Sequence, residues 1–134
     1  MFRIAKSEEI KDYEVKISLE NIVGVCNKKV YKIKGLNVDI ISDKYSISFE
    51  IKRDINEILS IKKYEGIDIS KDDIIEGFIT IDGKTGFISI HKMKIYIFSD
   101  VIAISFIYND GYDYYGDIDI EIKLDDIKKL TTEK

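Results

Sequence analysis

The chain has 134 residues, a formal charge of −4, and 45% hydrophobic and 34% charged residues. That length is one domain, here 1–134, and that balance excludes a disordered chain. Such a domain buries about two thirds of its unfolded surface and folds without staples, and the lone Cys26 excludes an intrachain disulfide in any case.

The chain holds 29 Ile and 19 Lys against two Arg, two Ala and no Pro. Codon bias in an AT-rich microbial, bacterial genome accounts for that skew. Motifs built from Lys, Ile and Asp are discounted accordingly.

The first thirteen residues lack the apolar stretch of a signal peptide. The longest nearly uncharged run, 95–108, is shorter than the about 20 residues of a membrane helix. A cytoplasmic protein without membrane contact is expected. A turn of helix is predicted to begin at Ser7.

Period-two alternation then takes over. Tyr13, Val15, Ile17 and Leu19 alternate with Glu14, Lys16, Ser18 and Glu20. Tyr45, Ile47, Phe49 and Ile51 repeat the pattern, as do Ile118, Ile120, Ile122 and Leu124. Strands with one buried and one wet face belong to antiparallel sheets. Further strands are predicted at 22–26, 29–34, 36–41, 77–82, 86–91, 93–98 and 101–108. Cys26 reads as a buried small hydrophobe.

One or two short helices are predicted around 54–76. Asp54 with Glu57 forms a cap ahead of Ile55, Ile58 and Leu59, with Gly66 as the stop. Ser70 and Asp73, stapled by Ile69 and Ile74, cap a second helix over 71–76 that Gly77 ends. A last turn of helix is predicted from Asp125. The loop Gly83-Lys84-Thr85 joins one hairpin, and Ser99-Asp100 joins a second whose strands are apolar on both faces and predicted to be covered on both. The fold class expected is mainly β: an antiparallel barrel or sandwich of about eight to ten strands.

Several chemistries are eliminated. Gly83-Lys84-Thr85 lacks the helix that a phosphate-binding loop must feed, because Phe87 to Ile90 reads as a strand. Acid-x-Lys triplets such as Glu50-Ile51-Lys52 occur about as often as chance and alternation dictate. His91, the only histidine, reads as a surface turn residue and has no partners for a zinc site or an elbow-borne nucleophile. No cofactor and no metal is expected.

The charge is uneven. Residues 1–99 carry 17 bases and 16 acids, whereas 100–134 carry nine acids and four bases. An acidic end repels phosphate, so nucleic acid is not the expected partner. Residues 108–117 place four tyrosines among Asn, Asp and Gly. Tyrosine supplies broad, rather rigid contact area with a polar tip. Tyr112, Asp113, Tyr114, Tyr115, Asp117, Asp119 and Glu121 are therefore the expected partner-binding residues.

The leading expectation is a non-enzymatic interaction protein, of inhibitor or immunity type, that meets a basic protein surface. A second is a small-ligand-binding β-barrel with an apolar pocket and inward polar groups. A third is a carboxylate or metal-dependent hydrolase. It needs two or more of Asp110, Asp113, Asp117, Asp119 and Glu121 to converge.

Overall fold

A computed structural model describes residues 13–43, 45–62, 65–69, 75–81, 83–109 and 115–132, apart from the side chains of 24–26, 31 and 115. The predicted turn at Ser7 and the side chain of Cys26 lie outside the described residues. Strands dominate the described residues, in one curled antiparallel sheet forming a half-barrel with two short helices. The alternative of barrel or sandwich thus resolves into a single sheet.

The strands are β1 (Tyr13–Cys26), β2 (Lys29–Ser42), β3 (Tyr45–Ile51), β4 (Gly66–Asp68), β5 (Ile75–Ile81), β6 (Lys84–Phe98), β7 (Val101–Asn109) and β8 (Tyr115–Lys123). The order across the sheet is β1-β2-β3-β5-β6-β7-β8, with β4 paired to β6. Helix α1 (Ile55–Leu59) follows β3, and α2 (Leu124–Thr132) follows β8.

Several predicted strands fuse. The segments at 13–20 and 22–26 are one 14-residue strand, as are 29–34 and 36–41. The two meet at Asn27-Lys28, both at positive φ (51° and 64°). That is the backbone of a tight two-residue hairpin loop whose twist suits the strands.

The segments at 86–91 and 93–98 are likewise one strand, β6, with a bulge between His91 and Lys94. Lys92 stands at φ 52° there. The extra residue shifts the alternation: Ile88 and Ile90 point inward before the bulge, Met93, Ile95 and Ile97 after it. His91 is exposed within a strand, not at a turn.

The helix predicted over 71–76 is corrected where it can be seen. Ile75 and Glu76 open β5, pairing with Ile90 and Ser89, while 70–74 lie outside the described residues. A short cap-like sequence competed there with an alternation that begins at Ile75, and sheet pairing won.

Asp54 does cap α1, accepting from the Asn56 N–H at 3.2 Å and also from the Lys34 N–H at 3.0 Å. These two donors hold its carboxyl below the ordinary range. Gly66 is not the stop, because α1 ends at Ser60. Gly66 opens β4 opposite Tyr96, and a Cβ there would lie 2.5 Å from the Tyr96 ring.

The core fills the inner face. Val38, Ile40, Ile47, Ile51, Met93, Ile95 and Ile118 are fully buried, with Ile55 and Ile58 of α1 and Ile127 of α2 laid over them. The predicted core residues Ile95, Ile97, Ile102, Ile104 and Phe106 are all at most 2% exposed. Their hairpin is covered on one face only, since Tyr96 and Ile107 on the other face are 45% and 39% exposed. The Leu124 N–H donates to the Asp100 carbonyl at 2.8 Å, fixing the start of α2. Among the described residues no helix is long and apolar enough to cross a membrane.

Candidate functional site

Alternation sets what the outer face of the sheet displays. With Ile75, Gly77 and Ile79 turned inward on β5, Glu76 and Phe78 must point outward. On β6, Ile88 and Ile90 point inward, so Phe87 points outward. Phe78 and Phe87 are directly paired across the ladder, with ring centroids 4.8 Å apart. They are 45% and 71% exposed. Two large apolar rings in contact with each other and open to water are the informative departure on this face.

The rings border a groove of about 430 Å³ that crosses β1, β2, β3, β5 and β6. Asp39, Glu50 and Glu76 line it, against the single ammonium of Lys52. Ser48 sits opposite Phe78 on its floor.

Two carboxyls at the edge of this groove act as a unit. Glu50 stands opposite Asn37, whose Nδ2 donates to Glu20 Oε2 at 2.8 Å. The Glu50 carboxyl is pushed up, chiefly by its hydrogen bond to Glu20. Glu20 is lowered, chiefly because it accepts from Glu50 and then from Asn37. The pair therefore holds its proton on the Glu50 side to higher pH than an isolated glutamate does.

A sign follows for stability. Deprotonating Glu50 sets two carboxylates against each other, so its raised value favours the fold at low pH and the benefit is lost as pH rises. Glu50→Gln keeps a donor toward Glu20 and removes that repulsion. We expect it to melt above wild type at pH 7, with the gap closing as pH falls toward about 4.3 and closed below it. Thermal melts at both pH values check this, and an unchanged gap contradicts the shared proton.

The residues expected from sequence divide into two groups. Tyr112, Asp113 and Tyr114 lie outside the described residues, and of Tyr115 only the backbone is described, opening β8 opposite Asn109. Asp117, Asp119 and Glu121 are exposed on the same outer face as the Phe pair. Asp119 and Glu121 border a second groove of about 530 Å³ with Lys94 and Tyr96. Tyr13 closes one side of it, its hydroxyl accepting from the Glu121 N–H at 3.4 Å. The start of β1 thus reaches toward β8 across the mouth of the half-barrel.

Asp117, Asp119 and Glu121 step along one strand face at about 7 Å intervals. Among the described residues no three His, Cys, Asp or Glu side chains are grouped to hold a metal ion. Lys84 begins β6 directly after Gly83, at φ 77°, so the turn is shorter than the predicted three-residue loop and leads into a strand.

Sequence reasoning missed Phe78 and Phe87. The usable signal was phase. Phe78 falls between inward Gly77 and Ile79, but assigning 71–76 to a helix hid the register that makes it conspicuous. Comparison with protein families, with curated proteins and with solved structures finds no match for this chain.

Proposed function

We propose that this chain is a non-enzymatic interaction module whose acidic outer face receives a basic protein partner. An inhibitor or immunity-type protein that masks a basic site is the form such a face suits. One observation carries the reading: an exposed phenylalanine pair, its rings in tilted contact, sits beside Asp39, Glu50 and Glu76. Interfaces combine aromatic anchors with a charged surround that orients the encounter. Asp117, Asp119 and Glu121 extend the acidic character of the same face to its far edge, next to the tyrosine-rich 108–117 segment.

The carrier reading has less support. Among the described residues the buried side chains are apolar, save for the phenol of Tyr108. Its hydroxyl has no hydrogen-bond partner among the described residues, and burial pushes its pKa upward.

The test uses a partner captured from the source cell and then purified. Phe87→Ala and Phe78→Ala are expected to weaken binding by about 2 kcal/mol, roughly thirtyfold, mainly through faster dissociation. Charge reversal at Asp117, Asp119 and Glu121 is expected to slow association and flatten its salt dependence. Phe variants that bind like wild type would remove the basis of the reading.

A further inference from the structure

The β1–β2 ladder outruns the sheet. Pairing of β2 with β3 begins at Leu36, opposite Ile51. The rungs from Asn21–Lys34 to Cys26–Lys29 pair β1 and β2 only with each other, and at their base Val23, Lys32 and Lys34 border a hollow shared with Asp54, Ile55 and Asn56. They form a two-stranded arm roughly 20 Å long, at about 3.3 Å per residue.

The arm is chemically unlike the rest of the chain. Residues 21–34 contain Lys28, Lys29, Lys32 and Lys34 and no acid. All four lysines are exposed. Val23 and Val30 are 61% and 66% exposed. Alternation puts Val23, Val30, Lys32 and Lys34 on one face. A two-stranded ribbon with exposed valines is marginal in water and gains from being covered.

The groove offers the complement on both counts. It sets Asp39, Glu50 and Glu76 against the lysines, and Phe78 and Phe87 against the valines. Arm and groove cannot meet within one molecule, because β2 runs unbroken from Lys29 to Ser42 and carries Lys32 at one end and Asp39 at the other.

We propose that the basic arm of one copy seats on the acidic outer face of a second copy. This rests on reading that face as an interaction surface. Reciprocal seating closes a two-fold dimer, and one-way seating makes a ring or chain. Attraction between exposed charges is screened beyond about 8 Å at physiological salt, so the assembly is salt-sensitive.

Sedimentation velocity on the full chain tests it. At low salt the mass should exceed the 15.5 kDa monomer as concentration rises, and high salt should return it to the monomer. Lys32→Glu with Lys34→Glu, and separately Asp39→Lys with Glu50→Lys, should each weaken self-association at least about tenfold. Mixing the two variants should restore it, because the reversed arm meets the reversed groove. Carbodiimide cross-linking of light with heavy-isotope wild-type chains is an independent reading, and it should join Lys32 to Glu76 between copies.

A wild type that stays monomeric at low salt overturns the proposal, as does association that survives either reversal or a mixture that does not reassemble. A monomer that instead binds heparin through the arm points to a polyanion partner and also overturns it. The outer-face reading stands or falls separately, on whether Phe87→Ala lowers affinity for a captured partner.

Discussion

Phe106→Ala is expected to cost roughly 3–5 kcal/mol of stability. Phe106 is 2% exposed at the centre of β7. Its ring meets Phe49 of β3 edge-on, with centroids 5.1 Å apart and planes at 69°, and lies 6.5 Å from Tyr108. β3 and β7 are not sheet neighbours. The contact therefore spans the concave side of the half-barrel and ties its two halves together. Truncation removes that tie and opens a cavity that the surrounding isoleucines fill only partly. Equilibrium denaturation by urea measures the loss. A cost below about 1 kcal/mol would mean that the curl does not depend on this contact.

Gly77→Ala is expected to destabilise by about 1–3 kcal/mol or more. A Cβ at Gly77 would lie 2.5 Å from the Ser48 carbonyl oxygen, 3.2 Å from Phe49 Cβ and 3.3 Å from Ile90 Cδ1. The nearest obstacle is backbone of the neighbouring strand, so relief requires β3 and β5 to part. Gly86→Ala is the matched control on the adjacent strand. A Cβ there meets nothing within 4 Å, and the substitution should be neutral or stabilising by about 0.4–1 kcal/mol through the unfolded chain. Equal stability of the two variants would contradict the register of β3 against β5.

Much of this architecture is legible in the alternation. Tyr45 to Ile51 and Ile118 to Ile122 read as half-buried strands, and their inward residues are those that pack. Asp54 reads as a cap because a short acid before Ile55 and Ile58 satisfies the first amides. What alternation alone does not carry is continuity. A bulge at His91–Lys94 looks like a strand break, because the shift of phase is identical in sequence. Nor does it carry the far side of a hairpin. An apolar run such as 95–108 reads as covered on both faces, yet Tyr96 and Ile107 stand on an open one.

The candidate site was half legible for the same reason. The acids of β8 alternate along one short stretch of sequence and announce themselves, whereas the groove draws Asp39, Glu50 and Glu76 from three strands. Their meeting depends on strand order, and β5 was partly concealed behind a plausible helix cap. The Glu20–Glu50 pair is likewise invisible in sequence, since 30 residues separate partners that sit on β1 and β3 with Asn37 of β2 between them.

The central claim is that the outer face, anchored by Phe78 and Phe87, is where this chain meets another protein. The most direct measurement is an amide NMR titration of the isotope-labelled chain with its purified, captured partner. The account predicts shifts concentrated at Asp39, Ser48, Glu50, Glu76, Phe78 and Phe87, extending toward Asp117, Asp119 and Glu121. Shifts confined to inward positions such as Ile95, Ile104 and Tyr108, with the outer face silent, would contradict it.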